Sequence, residues 1–308
     1  MTNPTACPDC LRRSWLLSLA APYIERTQVS SRGPDRLALL RLDNEDLATA
    51  VAPRHAQSML AQVGAMGADH FADKLSAARC WAVCRHDERY PATLRVIGAA
   101  PSALIARGDS ALLTDIAWAE SVSIVGSRRA TTYGREVARS LGHELAAGGA
   151  AVISGMAFGI DACAHRGAIE AGRTVAVLGC GPDIAYPASH RSLWRRITES
   201  GLVISELPPG TGAWRWTFPA RNRIIAGISG MTVVVEAAKR SGSLVTADFA
   251  ADFGRGLGAV PGPVTSRNSA GVNDLLAGGA QVVREARDVL EAMSGGDSSE
   301  EGASPTAA

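Results

Sequence analysis

The stretch Ser121-Val-Ser-Ile-Val-Gly-Ser-Arg-Arg129 decides the fold. A short apolar run breaks off at a Gly-Ser-Arg turn, and an amphipathic stretch follows. The same event recurs at Val152-Ile-Ser-Gly-Met156, Val177-Leu-Gly-Cys-Gly181, Val203-Ile-Ser-Glu206 and Val233-Val-Val-Glu236. Strands that stop at small polar turns and alternate with helices predict an α/β fold: a doubly wound, mostly parallel sheet. The polar turns then fall along one carboxyl edge. A helix N-terminus carries unpaired amides and the positive end of the helix dipole, so small-residue turns there hold anions. Several in a row predict a row of phosphate seats, and hence a binder of a phosphate backbone.

Working outward, the first helix is expected over Gly134 to Ala147. Val137, Leu141 and Leu145 point inward, and Arg135, Arg139 and Glu144 lie nearer solvent. The second strand leads through Gly155-Met-Ala-Phe-Gly159 to a helix from about Ile160 through Glu170. Gly179-Cys-Gly181 and Tyr186-Pro187 precede a helix with His190, Arg191, Arg195 and Arg196. The fourth strand runs into Pro208-Pro-Gly210, the aromatic loop Trp214-Arg-Trp-Thr-Phe218 and Arg221-Asn-Arg223. After the fifth strand, Ser241-Gly-Ser243 opens another helix, and residues 257–290 add a closing strand and short helices. The Gly/Ser/Ala-rich segment 293–308 is expected to be a disordered tail.

Upstream, residues 1–85 read as a small helical N-terminal domain. Ser14-Trp-Leu-Leu-Ser-Leu19 has an apolar face, and Leu37, Leu40, Leu47 and Val51 recur at near-helical spacing. Asp43 or Asn44 can cap the second of these helices. Residues 86–120 read as a connector at the start of the sheet domain, which is expected over 86–292.

Bulk composition narrows the function classes. The 308 residues are 46% hydrophobic, enough for a sizeable core, and carry a net charge of +1. No global basic field demands nucleic acid, so any such binding must come from local clustering. Lys74 and Lys239 are the two lysines, which makes almost every cation an arginine. Arginine grips phosphate bidentately and stacks on bases. No signal-peptide pattern and no apolar run of membrane-spanning length is present, so a cytoplasmic protein with no membrane partner is expected. Its six cysteines then read as thiols or metal ligands rather than disulfides. Cys7-Pro-Asp-Cys10 and Cys80-Trp-Ala-Val-Cys84 supply four thiols, the stoichiometry of a structural zinc site. The spacing is not that of a standard knuckle, and unliganded thiols are the competing reading. No other cofactor is required.

No enzyme constellation stands out. GxxxxGK[ST] is missing, and the first turn reads Gly-Ser-Arg-Arg-Ala-Thr-Thr-Tyr-Gly in place of GxGxxG. Asp161 and His165, four apart on a helix, read as a hydrogen-bonded pair orienting the preceding turn or as an acid–base pair. Glu236 reads as the cap of a neighbouring helix or as a general base. The interleaving of arginine and aromatics from Trp214 to Arg223 suits bases stacked on ring faces. Trp214, Trp216 and Phe218 can equally be loop packing.

Three stretches together closely resemble the DNA-processing protein A family (DprA/Smf). They are Gly126-Ser-Arg128, Ser154-Gly-Met-Ala-Phe-Gly-Ile-Asp161 with His165, and Phe218-Pro-Ala-Arg-Asn-Arg-Ile-Ile-Ala-Gly227. Val234-Val-Glu-Ala237, Ser241-Gly-Ser243 with Thr246-Ala247, and Val260-Pro-Gly262 with Gly271-Val-Asn273 extend the resemblance over roughly Tyr90 to Ala280. It implies an extended Rossmann-like domain preceded by a small helical, SAM-like domain. It also implies a non-catalytic homodimer that binds and protects single-stranded DNA and loads the RecA recombinase during natural transformation.

By the same resemblance, the DNA contacts fall on Gly126, Ser127, Arg128, Gly155, Phe158, Gly159, Phe218, Arg221, Asn222 and Arg223, extended by Lys239, Ser241 and Ser243. Where many relatives have Lys and Asn after Tyr186-Pro187, this chain has Ala188, Ser189 and His190, and Arg191 is the candidate replacement. Many relatives also carry a C-terminal winged-helix domain where this sequence has its tail, so that domain's functions are not expected to carry over. The rival from another class is a nucleotide-processing phosphoribohydrolase of the lysine-decarboxylase-like group. Its Pro-Gly-Gly-x-Gly-Thr-x-x-Glu signature is not met by Val260-Pro-Gly-Pro-Val264.

Overall fold

The structure, a computed structural model, describes residues 6–30 and 37–294. Of the expected tail, 293–308, Met293 and Ser294 instead end the last helix, and residues 295–308 lie outside the described residues. Nine strands form one sheet among the described residues, in the order β1-β2-β6-β5-β4-β3-β7-β8-β9. They are β1 Trp81–Cys84, β2 Ala103–Gly108, β3 Val122–Val125, β4 Val152–Ser154, β5 Thr174–Val177, β6 Leu202–Ser205, β7 Met231–Val234, β8 Gly256–Ala259 and β9 Gln281–Val282. From β6 across to β9 the ladder is parallel. β1 pairs antiparallel with β2, and β2 with β6. β3 to β7 are the five strands expected from the turn pattern, and the mostly parallel α/β architecture holds.

Two edge strands depart from expectation. Trp81–Cys84 falls where a helix was expected, and β2 falls within the expected connector. All four residues of β1 are buried. Trp81 and Val83 enter one core, and Ala82 and Cys84 enter another on the opposite face. A strand covered on both faces loses the alternation that would reveal it in sequence.

Helices α1 Pro8–Ser30, α2 Ala38–Arg41, α3 Asn44–Val51, α4 Ala56–Gly64 and α5 Ala68–Ala77 precede the sheet. Asp43 caps α3, its carboxylate accepting from the Asp46 amide at 2.8 Å. Leu16, Leu17 and Ile24 of α1 pack with Leu47, Val51, Met59 and Val63. Trp216 and Ala220 of the sheet domain enter the same cluster, and the Trp216 indole donates to the Ala21 carbonyl at 3.1 Å. The N-terminal helices are thus packed onto α11 (Thr217–Ile228) through apolar burial and a satisfied indole.

Among the described residues nine further helices follow: α6 Ala92–Arg95, α7 Leu112–Asp115, α8 Thr132–Ala147, α9 Ile160–Ala171, α10 Arg191–Ser200, α11 Thr217–Ile228, α12 Leu244–Asp252, α13 Ala270–Ala277 and α14 Ala286–Ser294. One sheet face buries Val125, Ile153, Val177, Ile204 and Val234 against Ile224, Ile225 and Ile228 of α11. The other buries Val122, Ile124, Val152 and Val233 against Leu141 and Leu145 of α8 and Ala164 of α9. Each such valine or isoleucine contributes roughly 1.5–3 kcal/mol of transfer free energy. Among the described residues no helix is long and apolar enough to cross a membrane.

The topology also places the site. The chain steps β3, β4, β5, β6 to one side, then returns to β7 on the other side of β3. Open α/β sheets bind ligands where the strand order reverses, outside the carboxyl ends. That crevice lies between the ends of β3 and β7.

Candidate nucleic-acid interface

At the end of β3 the Ser127 amide donates to the Glu236 carbonyl at 2.7 Å, and the Thr131 amide to the Glu236 carboxylate at 2.9 Å. The Thr131 hydroxyl also bonds that carboxylate at 2.5 Å and accepts from the Gly134 amide at 3.1 Å. Thr131 is therefore the N-cap of α8 and Glu236 holds it in place, close to the structural reading of that residue. After β4, the Gly155 and Ala157 amides donate to Asp161 at 3.2 and 3.3 Å, and the Ile160 amide to the Ser127 carbonyl at 3.2 Å. These are the amides expected to seat phosphates. At these first two turns the expectation is corrected: two carboxylates and two carbonyls of the protein itself already occupy the amides.

The glycines serve close packing. A Cβ on Gly155 would overlap the Arg221 guanidinium, and one on Gly159, at φ +77°, would overlap the Ser127 carbonyl.

What the crevice offers is side-chain charge. A groove of about 1260 Å³ is walled by Gly126, Ser127, Arg128 and Arg129, by Arg215, Phe218, Pro219, Arg221 and Asn222, and by Ala238 to Thr246. The Arg128 guanidinium lies over the Phe218 ring, 5.2 Å from its centre, and the Tyr186 ring lies 5.4 Å from Phe218 on centroids. An adjoining hollow of about 540 Å³ shares Arg128 and Arg129, and adds Arg135, Arg166, Phe158 and Gly159. Phe158 stands 49% exposed and meets His190 edge-on at 4.9 Å. Arg128, Arg129, Arg135, Arg166, Arg215 and Arg240 are exposed, and none pairs with a carboxylate among the described residues.

Gly126, Ser127, Arg128, Phe218, Asn222, Lys239, Ser241 and Ser243 are thus brought to one groove. Asn222 ties its walls together, its amide donating to the Gly242 carbonyl at 3.3 Å. The Ser241 and Ser243 hydroxyls bond each other at 2.7 Å, and Lys239 pairs with Asp274 at 3.3 Å.

Three candidates stand apart from the exposed wall of the groove. Arg223 is 1% exposed, paired with Glu206 at 2.7 Å and donating to the Ala99 and Ala220 carbonyls. Arg221 forms the groove floor, 7% exposed, with its guanidinium donating to the Gly155 and Val177 carbonyls and facing Asp161 at 3.8 Å. Burial lowers Arg221 and raises Asp161 from their ordinary values, each opposed by the partner's charge. Arg191 is exposed at the start of α10 and lines neither hollow.

Asp161 orients the turn before it, as the structural reading held. His165, however, does not pair with it: its Nδ1 bonds the Thr174 hydroxyl at 2.7 Å in a fully buried setting. Trp216 belongs to the domain junction and not to the groove. Sequence reasoning missed Arg129, Arg135, Arg166, Arg215, Arg240 and Tyr186. Arg129, Arg215 and Tyr186 sat inside quoted stretches and Arg135 was placed toward solvent; Arg166 and Arg240 needed the fold to bring their elements together.

A second cluster lies far from the groove in sequence. The donor atoms of Cys7, Cys10, Cys84 and His86 all lie within 4.8 Å of one another. Cys80 is not among them, which corrects the expected ligand set. Its thiol donates to the Ala78 carbonyl at 3.4 Å, and burial pushes it up to about 12. Residues four apart share a helix face, but on extended chain they stand ~13 Å apart.

Comparison with known proteins agrees with the geometry. The family model described as DNA recombination-mediator protein A matches residues 81–294. The putative DNA processing protein DprA of Mycobacterium tuberculosis is 46% identical over 201 residues, 65% of this chain and 51% of that protein. The chain therefore spans about half the length of that relative. DNA processing protein DprA of Bacillus subtilis is 37% identical over 207 residues, 67% of this chain and 69% of its own. The X-ray structure of Streptococcus pneumoniae DprA superposes with a TM-score of 0.72 at 30% identity, covering 93% of this chain and 98% of that one. The structure describing the single-stranded DNA binding mode of Helicobacter pylori DNA processing protein A gives 0.63 at 27% identity, covering 71% and 97%. With the switch-point crevice, the Gly-Ser-Arg turn and the match across the whole sheet domain, this chain belongs to the DNA recombination-mediator protein A family.

Proposed function

We propose that this chain binds single-stranded DNA without catalysing a reaction on it, holding the phosphates along the crevice between β3 and β7. The observation that carries this reading is the band of exposed arginines without carboxylate partners, interleaved with Phe158, Tyr186 and Phe218. Guanidinium groups neutralise backbone phosphate, and ring faces stack bases that only an unpaired strand exposes. Work on the Helicobacter pylori relative, described for its single-stranded DNA binding, supports the same ligand class. A non-catalytic role is supported by the local duties of Glu236, Asp161 and His165. From the family resemblance we further propose that the protein acts as a cytoplasmic homodimer and hands the strand to the RecA recombinase.

The test is fluorescence anisotropy of labelled oligo-dT against duplex of equal length over a series of salt concentrations. Single strands should bind more tightly, with log affinity falling by about 0.7 per neutralised phosphate for each tenfold rise in salt. Equal binding of duplex, or affinity insensitive to salt, would sink the proposal.

A further inference from the structure

We infer that Cys7, Cys10, Cys84 and His86 form a structural zinc site that staples the first helix to the edge strand of the sheet. Cys7 and Cys10 flank the start of α1, and Cys84 and His86 close β1 more than seventy residues later. The His86 Nδ1 lies 3.5 Å from the Cys7 sulfur, 3.5 Å from the Cys10 sulfur and 4.0 Å from the Cys84 sulfur. One imidazole nitrogen has a single lone pair or a single proton, so it cannot hydrogen-bond three thiols. Four donors around a tetrahedral ion, with bonds of about 2.3 Å to sulfur and about 2.0 Å to nitrogen, leave sulfur and nitrogen about 3.5 Å apart.

Further features fit this assignment. The Cys7 amide donates to the Cys84 sulfur at 3.5 Å, the outer-shell contact that orients and stabilises a thiolate ligand. His86 is exposed and, with Cys10, borders an open hollow of about 890 Å³, which gives an ion a path to the donors. Four protein ligands leave no open position, so the ion would hold structure and not perform chemistry. Its effect would be to tie α1, which buries Leu11 against Phe71, Leu75 and Ile105, onto β1 and β2.

The test is elemental analysis of the full chain after dialysis against chelator and reloading with zinc. Cobalt(II) absorption is recorded in parallel as a direct report of thiolate ligation. The expected result is on the order of one zinc per chain and a thiolate-to-cobalt charge-transfer band. His86→Ala, at an exposed position, should stay folded by circular dichroism and weaken zinc at least ~10-fold in competition with a chromophoric chelator. Cys84→Ser should abolish the site, and Cys80→Ser should leave occupancy and spectrum unchanged. A folded wild-type chain without zinc or a cobalt–thiolate band would overturn the inference. So would a Cys7–Cys10 disulfide that excludes metal, or loss of zinc in Cys80→Ser equal to that in Cys84→Ser.

Discussion

Arg128 and Phe218, ninety residues apart in sequence, meet with the guanidinium 5.2 Å from the ring centre at the wall of the switch-point groove. The contact holds a cation and an aromatic face side by side, the pair a single strand needs for one phosphate and one base. The two side chains should fail differently when removed. Arg128→Ala should weaken oligo-dT binding roughly tenfold and lower the salt slope by about 0.7. Phe218→Ala should cost ~1–3 kcal/mol with the slope nearly unchanged. Anisotropy titrations across salt separate the two, and identical salt responses would contradict the assigned roles.

Arg223 should behave as a fold residue. Replacing it with Met leaves the Glu206 carboxylate buried without its partner, a loss of ~3–5 kcal/mol. Urea unfolding should show the drop. A normal unfolding midpoint with lost DNA affinity would instead return Arg223 to the ligand side of the groove.

Glu236 tests the enzymatic alternative. It accepts from both the amide and the hydroxyl of Thr131, the N-cap of α8, so Glu236→Ala should lower stability by ~1–3 kcal/mol. The wild-type protein should release no base from AMP. Base release that disappears in Glu236→Ala would favour a phosphoribohydrolase over a DNA binder.

His165 should make stability depend on pH. Burial, reinforced by the nearby Arg221 charge, lowers its folded-state pKa from 6.5 to about 3. Between those values the unfolded chain binds the extra proton. The stability is therefore fully present above about pH 6.5 and lost as pH falls toward 3, at up to ~1.4 kcal/mol per pH unit. Denaturation at pH 7, 6 and 5 should show a steeper fall for the wild type than for His165→Gln. Parallel curves would mean that His165 takes up no proton on unfolding.

The sequence by itself determined the alternation of strand and helix, the five central strands and the edge on which their turns gather. Those features are set by local periodicity and by small residues at chain reversals. Gly126-Ser-Arg128 was legible as a groove stretch for the same reason, because it sits in its own turn. Only the tertiary structure decided which charges stay free. Arg221 and Arg223 read like Arg128 in sequence, but their place on α11 turns them inward onto Asp161, Glu206 and buried carbonyls. The amides of the first two turns were claimed by Glu236 and Asp161; Glu236 arrives from 105 residues away, a contact no local pattern records. The same holds for the cysteine cluster. A strand where a helix was expected removed Cys80 and brought in His86, because extended chain separates residues that a helix would align.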